Sequence, residues 1–260
     1  TRSKVNTAVT GGAPKILTLD IETAPNLAWV YQTYDNRYVS PEQVKEPARM
    51  LSFAAKWLDS KRAVFASEHH DGTEAMLDKL WHLLDQADVV VTYNGNRFDI
   101  PWINGSFFLA GLTPPSPYKS VDLLTVVRRF RGFTHRKLDV VCQTLGLGGK
   151  VQHKGFTMWK EILEDDDPKA WNLCRRYNIQ DVIITEQLFW VLLPWLKGMP
   201  HRGLWNGVER CCHICGSERL EQHGWHQTAI TRYARLQCQD CGAWNRATYV
   251  RTRPITRPIA

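Results

Sequence analysis

The sequence predicts an α/β fold in which a mixed sheet is flanked by helices, with a small cysteine-rich module at the C-terminal end. Apolar runs of strand length alternate with segments whose apolar residues recur at helical spacing. One run, DVVVTYN at 88–94, is typical of a strand buried on both faces. Five of the seven cysteines lie between 211 and 241, which sets that region apart from the rest of the chain.

The elements of the larger region follow from the pattern of apolar residues. The predicted strands lie at 15–22, 50–58, 62–69 and 88–94. The predicted helices lie at 73–86, after Phe98 with a break near Gly105, at 122–131, at 137–146 and at 168–192. The acidic run Glu164–Pro168 suits the N-terminus of the last helix, where acids and Pro are both favoured. The Gly- and Lys-rich connection 146–155 is predicted to be mobile.

A chain of 260 residues accommodates one domain and a small module. The predicted divisions are a flexible segment at 1–14, a main domain at 15–198, a linker at 199–208, a cysteine module at 209–250 and a basic tail at 251–260. No uncharged apolar run approaches 18 residues, so a membrane protein is not expected. The N-terminal residues lack the apolar stretch of a signal peptide, so we expect a cytoplasmic protein.

Charge is concentrated toward the C-terminal end. The net charge is +7, and residues 201–260 hold nine Arg, no Lys and four acids, a local charge of +5. A polyanion such as nucleic acid is the expected partner of so basic a region. The alternative is a basic surface that only aids solubility.

Carboxylates recur at the ends of predicted elements. In KILTLDIETAP, Asp20 and Glu22 are two apart and share one strand face, where like charges at about 5 Å repel by roughly 3 kcal/mol at an effective dielectric of 20. A shared proton or a bound cation would relieve this repulsion. Asp99 follows the buried strand, and Tyr177 and Asp181 share a face of the last helix. Taken singly, these acids also suit an N-cap, a solvated helix face and an exposed strand end.

In order, D-x-E, N-x-x-x-F-D and Y-x-x-x-D resemble the three exonuclease motifs of the DEDD (DnaQ-like) superfamily, which has a ribonuclease-H-like fold. The motifs are 77 residues apart from Glu22 to Asp99 and 82 apart from Asp99 to Asp181. Tyr177 makes the third motif similar to the DEDDy branch, because the His branch requires His where this chain has Arg176. The resemblance covers about 15–196, and its longer stretches also resemble a phage and bacterial group related to YprB.

This resemblance implies a metal-dependent 3′–5′ exonuclease and favours the cation over the shared proton. Two Mg²⁺ or Mn²⁺ ions would be the cofactors, since hard oxygen ligands suit them. The implied metal ligands are Asp20, Glu22, Asp99 and Asp181. Tyr177 would orient the attacking water. The residues implied to contact the substrate are Thr23, Asn94 and Phe98.

Two C-x-x-C-G knuckles, 22 residues apart, predict a structural Cys₄ zinc site and resemble a zinc ribbon. The ligands that the spacing predicts are Cys212, Cys215, Cys238 and Cys241. Cys211 and His213 lie near enough in sequence to compete as ligands. Two disulfides or free thiols are the alternatives, and the lack of a secretory signal favours the metal.

Aromatic residues occur beside basic residues in two places. The set in the module is Trp225, Arg232, Tyr233, Arg235, Trp244, Arg246 and Tyr249. The set after the first motif is Trp29, Tyr31, Tyr34 and Tyr38. Either set could stack on bases of nucleic acid, or could pack as local core.

The function expected from these features is hydrolysis of DNA from its 3′ end, with the module aiding substrate binding. A ribonuclease or a structure-specific endonuclease would use the same carboxylates. A nucleic-acid-binding protein with an inactive site is the alternative outside catalysis. The chain has no polymerase motifs, so a role in proofreading would require replication or repair proteins as partners.

Overall fold

The computed structural model describes residues 12–32, 34, 38–149, 155–228 and 230–248. These residues form two compact units, one over Lys15–Phe189 and one combining 12–14 with the described residues from Trp190 onward. The inner part of the connection predicted to be mobile, most of the predicted N-terminal segment and the basic tail lie outside the described residues. Among the described helices, none has the length and apolarity needed to cross a membrane.

The Lys15–Phe189 unit alternates strands and helices, and its last helix continues to Leu192. Its strands are β1 (Ile16–Thr23), β2 (Leu27–Ala28), β3 (Val44–Glu46), β4 (Met50–Trp57), β5 (Val64–Ser67), β6 (Val89–Thr92) and β7 (Lys119–Asp122). Its helices are α1 (Glu68–Asp71), α2 (Thr73–Asp85), α3 (Asp99–Leu109), α4 (Leu123–Val127), α5 (Leu138–Thr144), α6 (Phe156–Leu163) and α7 (Pro168–Leu192).

Five strands form a mixed sheet in the order β5-β4-β1-β6-β7. The central strand, β1, runs antiparallel to β4 and parallel to β6, and β6 runs parallel to β7. All four residues of β6 are buried, as its apolar run predicts. The remaining pair, β2 and β3, forms a small antiparallel ribbon. The predicted mixed sheet flanked by helices is confirmed.

Both faces of the sheet are covered by apolar side chains. One face joins β1 to α2 and α3 through a cluster that includes Leu17, Leu19, Ile21, Met76, Leu80, Ile103 and Phe107. A second cluster joins β4 to α6 and α7 and consists of Ala24, Leu51, Met158, Ile162, Ala170, Trp171 and Cys174. Because side chains alternate along a strand, the even-numbered residues of β1 point away from the first cluster.

Several element predictions need correction. The predicted break near Gly105 is wrong, because α3 continues to Leu109 and its buried Ile103 and Phe107 outweigh the cost of a solvent-side glycine, about 1 kcal/mol. The helix predicted at 122–131 ends at Val127. The short strand β7 and helix α6 were missed. β7 has four residues and depends on pairing with β6, while α6 follows a glycine-rich stretch.

The longest predicted helix is confirmed with its N-terminal cap. α7 spans Pro168–Leu192. The Asp167 carboxylate accepts a hydrogen bond from the Lys169 N–H at 3.0 Å, which satisfies one of the helix's unpaired donors. The acidic run before α7 therefore acts, at least through Asp167, as a helix cap.

The second unit is built on a small antiparallel sheet. Its elements are α8 (Gly203–Asn206), β8 (Leu220–Gln227), β9 (Arg232–Cys238) and β10 (Trp244–Arg246), with the strand order β10-β9-β8. α8 lies in the segment predicted as a linker. The Gly12 N–H donates to the Trp205 carbonyl at 3.3 Å, so the described residues before β1 pack in this unit.

Candidate active site

Asp20 and Glu22 lie on one face of β1, toward the end of the central strand. Asn178 of α7 contacts this face. Its Nδ2 donates to Asp20 Oδ2 at 2.7 Å and to the Asp20 carbonyl at 3.2 Å. Asn178 is fully buried, so it fixes the orientation of the first carboxylate.

A chain of contacts on the same face extends toward Glu22. Ser52 is paired with Glu22 across the β1–β4 ladder, and its Oγ donates to Asn178 Oδ1 at 3.2 Å. Cys174 lies one turn before Asn178 on α7 and is buried. Burial, together with the negative charges of Glu22 and Asp20, raises the pKa of the Cys174 thiol to about 12. This thiol is therefore protonated near neutral pH and packs as a neutral group beside the two carboxylates.

Asp99 is the first residue of α3, and its carboxylate contacts the backbone of β1. Its Oδ1 accepts a hydrogen bond from the Ile21 N–H, between the two acids of β1, at 3.1 Å. Asp99 is only 3% exposed. Burial, with a smaller contribution from the charge of Asp122, raises the pKa of Asp99 to about 7 against the lowering effect of the Ile21 hydrogen bond. Without a cation this carboxyl is thus costly to ionise.

Asp20, Asn94, Tyr177 and Asp181 line one open cleft of about 520 Å³. Asp181 is 4% exposed, and Tyr177 precedes it by one turn of α7. The structure thus brings residues from all three motifs to one place. Among the described residues, those lining the cleft do not include the other predicted site residues, which are Glu22, Thr23, Phe98 and Asp99.

The alternative roles of the acids, as an N-cap, a solvated helix residue and an exposed strand end, are contradicted. Phe98 is the N-cap of α3, so Asp99 does not serve as its cap. Asp181 is buried instead of solvated, and Asp20 is half-buried against Asn178 instead of lying at an exposed strand end. Four carboxylates are therefore held in or beside one cleft.

The turn after β6 is tightly constrained. Asn94 has a left-handed backbone, with φ of 68°, and its N–H donates to Asp122 Oδ1 at 2.9 Å. A Cβ at position 95 would clash with the Thr92 side chain, so the turn requires Gly95. Phe98 is 39% exposed at the end of this turn. The turn fixes the start of α3, and hence Asp99.

Thr23 is half-buried at the end of β1, where the register against β4 shifts between Glu22 and Thr23. Such a bulge bends a strand and redirects its side chains, and bulges are frequent beside active sites. The backbone at Thr23 therefore departs from the regular β1–β4 pairing.

Several residues of this site were missed by sequence reasoning. The missed set comprises Ser52, Asn178 and Asp122, which hold site residues by hydrogen bonds, and Arg128, Arg136, Lys137 and Asp139, which line the cleft. A signal did exist for Asn178, because it lies one turn before Asp181 and beside Tyr177. Arg128, Arg136 and Lys137 belong to no motif, so only the fold places them at the cleft.

The donor chemistry of the cleft fits hard divalent cations. Asp20 and Asp181 supply carboxylate oxygens to the cleft, the ligands that Mg²⁺ and Mn²⁺ prefer. Glu22 follows Asp20 on the same face of β1, and Asp99 contacts the strand between them.

The aromatic residues after the first motif are exposed. The exposed fractions are 71% for Trp29, 103% for Tyr31, 74% for Tyr34 and 77% for Tyr38. The alternative that they pack as local core is therefore wrong. They leave several ring faces in solvent within the segment that follows β1.

The second unit holds four cysteines whose sulfur atoms all lie within 4.8 Å of one another: Cys212, Cys215, Cys238 and Cys241. The Cys212–Cys241 and Cys215–Cys238 sulfur pairs are each 3.6 Å apart. A tetrahedral zinc site with Zn–S bonds near 2.3 Å places its sulfurs about 3.8 Å apart. The cluster fits zinc and is not disulfide-bonded.

The competing ligands lie outside the cluster. The Cys211 thiol donates to the Val208 carbonyl at 3.4 Å, and the His213 ring contacts Asn245 Oδ1 at 2.7 Å. Asn245 in turn directs its Nδ2 at the Cys212 sulfur, 3.6 Å away. His213 thus orients a hydrogen-bond donor to a ligand instead of acting as one, and sequence reasoning missed Asn245.

The two knuckles have the same backbone arrangement, but their cysteines differ in pKa. Gly216 and Gly242 follow the pairs with φ of 81° and 74°, and their N–H groups donate to the first cysteine carbonyl of each knuckle. Burial alone would raise the pKa of Cys238, but the backbone N–H groups of Cys241 and Asp240 lower it to about 7. The Cys238 thiol is therefore about half ionised near neutral pH, whereas burial raises the pKa of Cys215 to about 11 and also raises the pKa of Cys241.

Three aromatic rings of this unit lie against arginine side chains. The guanidinium carbons lie 4.5 Å from the ring centre for Arg232 and Trp225, 5.0 Å for Arg235 and Trp244, and 4.4 Å for Arg246 and Tyr233. Trp244 is 49% exposed. Ile214, Ala234 and Ala243 are buried and Trp225 and Tyr233 are half-buried, so the exposure of Trp244 contradicts the mini-core alternative for that residue. Tyr249 lies outside the described residues.

A family model described as RNase_H superfamily matches residues 43–193. The chain belongs to the RNase H superfamily. This is a family of nucleic-acid-processing nucleases whose fold usually binds divalent metals. The matched residues include Asp99, Tyr177 and Asp181, while Asp20 and Glu22 precede them.

The structure also resembles the family B DNA polymerase from the hyperthermophilic archaeon Pyrobaculum calidifontis. The TM-score is 0.55 and the sequence identity is 18%. The match covers 85% of this chain and 32% of the polymerase, so this RNase H superfamily member spans about a third of that protein. The likeness is one of fold. No curated protein matches the chain.

The raised pKa of Asp99 makes stability depend on pH when no divalent metal is present. The unfolded carboxyl ionises near 3.8 and the folded one near 7, so its contribution to the free energy of unfolding falls as pH rises between these values. Asp99→Asn removes the charge. In denaturant melts in EDTA, the free energy of unfolding of the variant should rise relative to that of the wild type between pH 4 and 7. The difference should reach about 4 kcal/mol at most.

Mg²⁺ at pH 8 should then raise the melting temperature of the wild type more than that of Asp99→Asn. Asp165→Asn, in the exposed part of the acidic run, is the matched control and should follow the wild type. Parallel pH profiles for wild type and Asp99→Asn would contradict the assignment of a costly buried charge.

The cysteine cluster should hold one zinc ion per chain. Metal analysis of the purified protein should find this stoichiometry, and Cys238→Ser should lose the metal because a tetrahedral site needs all four thiolates. Cys211→Ser is the matched control and should keep it. Native protein without zinc, or loss of zinc in Cys211→Ser alone, would refute the ligand set.

Proposed function

We propose that this protein is a metal-dependent 3′–5′ exonuclease of the DEDDy branch, related to the phage and bacterial YprB group, with DNA as the favoured substrate. The observation that carries the proposal is the meeting of Asp20, Tyr177 and Asp181 in one cleft. Asp99 is hydrogen-bonded to the strand between Asp20 and Glu22. Three separate motifs thus supply the carboxylates and the tyrosine that a phosphodiesterase of this type requires.

Asp20, Glu22, Asp99 and Asp181 would hold two Mg²⁺ or Mn²⁺ ions. When bound, such a pair activates a water and stabilises the leaving oxygen of a phosphodiester. Asn178 fixes the orientation of Asp20 in the cleft, where Asp20 would help to hold the ions. Tyr177 is placed one turn from Asp181, where its hydroxyl would orient the attacking water.

The substrate end would lie beside the turn that follows β6. Asn94 lines the cleft, Phe98 ends the same turn, and Thr23 ends β1 next to Glu22, so these residues would contact the terminal nucleotide. The exposed aromatic rings after β1 suit stacking on unpaired bases, which favours a single-stranded end. The fold is shared with a DNA polymerase, which supports DNA over RNA.

The cysteine module would be a zinc ribbon whose metal is structural. Four protein ligands leave no open coordination position, and the small local core makes the metal a main source of stability. The register places Tyr233, Arg235, Trp244 and Arg246 on one face of its sheet, which would aid substrate binding. The domain divisions, a cytoplasmic location and replication or repair proteins as partners remain predictions.

The proposal is tested with 5′-labelled linear DNA and RNA and with circular single-stranded DNA, in Mg²⁺ or Mn²⁺. We expect a ladder that shortens from the 3′ end of linear DNA and no cutting of the circle. Faster digestion of RNA would identify a ribonuclease, and cutting of the circle would identify an endonuclease. Binding without any turnover would contradict the enzyme altogether.

Variants assign the activity to the cleft. Asp99→Asn and Asp181→Asn should each lower kcat by about a thousandfold, since a lost metal ligand costs several kcal/mol of transition-state stabilisation. Tyr177→Phe should cost less, because it removes an orienting hydroxyl and no ligand. Asp165→Asn should retain wild-type rates. A wild-type rate in purified Asp181→Asn would contradict the assignment of the activity to this cleft.

A further inference from the structure

A strongly basic segment borders the cleft that Asp20 and Asp181 line. Residues 128–137, RRFRGFTHRK, contain four Arg, one Lys and no acid, a charge of +5 with His neutral. The Lys15–Phe189 unit as a whole has 21 basic and 22 acidic residues, a net charge of −1. Positive charge is therefore concentrated at this segment, and not spread over the unit.

Three cations of this segment face the same cleft as Asp20 and Asp181: Arg128, Arg136 and Lys137. All three side chains are exposed. Among the described residues, no carboxylate lies within 4.0 Å of their charged groups, although Asp139 lines the same cleft. Their charges are thus neither neutralised by the acids nor buried.

Hydrogen bonds hold this segment against the turn that follows β6. The Tyr93 hydroxyl donates to the Arg136 carbonyl at 2.6 Å. Tyr93 directly precedes Asn94, whose N–H is held by Asp122. The Lys137 N–H donates to His135 Nδ1 at 3.1 Å, and Leu138 is buried immediately afterwards. The backbone that carries Arg136 and Lys137 is therefore positioned relative to the acids of the cleft.

From this arrangement we infer that Arg128, Arg136 and Lys137 form a phosphate-binding wall, which holds the backbone of a single-stranded polynucleotide next to the phosphodiester being cleaved. The carboxylates repel a polyanion unless cations screen them, while the wall attracts its neighbouring phosphates. This inference rests on the proposed function and adds a determinant of specificity. The wall selects a polynucleotide over a single nucleotide ester.

The first test measures binding and needs no catalysis. Fluorescence anisotropy gives the Kd of a labelled 12-nucleotide oligothymidylate in EDTA at several salt concentrations. Each phosphate contact on a single strand contributes about −0.7 to the slope of log affinity against log salt. Arg136→Gln/Lys137→Gln should therefore reduce the slope by about 1.4. Both side chains are exposed, and circular dichroism would verify that the fold is kept.

The matched control removes the same two charges elsewhere in the same unit. Lys61 and Arg62 are exposed in the turn after β4. The register pairs Trp57 with Leu17, which places this turn near the start of β1, while Asp20 and Glu22 lie toward its end. Lys61→Gln/Arg62→Gln should leave the salt slope at the wild-type value.

The second test compares two substrates in Mg²⁺: the oligothymidylate, and the p-nitrophenyl ester of thymidine 5′-monophosphate, which has no neighbouring phosphates. In Arg136→Gln/Lys137→Gln, KM for the oligonucleotide should rise at least about tenfold more than KM for the ester. The kcat on the oligonucleotide should change far less. This split separates substrate positioning from a general structural loss.

The outcomes for the wall and for the exonuclease are distinguishable. Normal turnover by the wild type with an unchanged salt slope in Arg136→Gln/Lys137→Gln would overturn the wall and leave the exonuclease standing. A reduced slope with no turnover by the wild type would support the wall and contradict the exonuclease. Equal losses on both substrates would overturn the specificity role.

Discussion

The concentration of negative charge at the end of β1 is the constraint on which the rest of the larger unit depends. Asp20 and Glu22 share one face of the central strand, Asp181 faces the same cleft, and Asp99 is buried against the strand between them. Like charges this close destabilise the fold unless a cation compensates them. Burial adds a further cost at Asp99, since it raises the pKa of this carboxyl to about 7. The surrounding structure must hold these groups together against their repulsion.

The supporting contacts are buried and specific. Asn178 donates to Asp20, Ser52 donates to Asn178, and Asp122 accepts from the Asn94 N–H in the turn that starts α3. Buried hydrogen bonds of this kind are costly to break, because each lost partner leaves a desolvated polar group. Asp20 and the turn that starts α3 are thus held in place, which is the preorganisation that the proposed metal site would require. Arg128, Arg136 and Lys137 line the same cleft, so positive and negative charges lie together there.

The sequence alone predicted the parts of this arrangement that depend on local pattern. The mixed sheet, α7 and the Cys₄ cluster follow from periodicity and spacing, and the three motifs named the acids that the fold brings together. The strand β7 could not be predicted, because its four residues are stabilised by pairing with β6. Asn178 and Arg136 belong to no motif, and only tertiary packing places them beside Asp20 and at the cleft. The low helix propensity of Gly105 predicted a break in α3, but the packing of the helix outweighs that propensity.

The central claim is that the four carboxylates form one two-metal site. Anomalous diffraction at the manganese edge, from crystals equilibrated with Mn²⁺, tests it most directly. We expect two peaks about 4 Å apart, with Asp20 contacting both, Glu22 and Asp181 contacting one, and Asp99 beside the other. Saturating Mn²⁺ with no peak within coordinating distance of Asp20 and Asp181 would contradict the account.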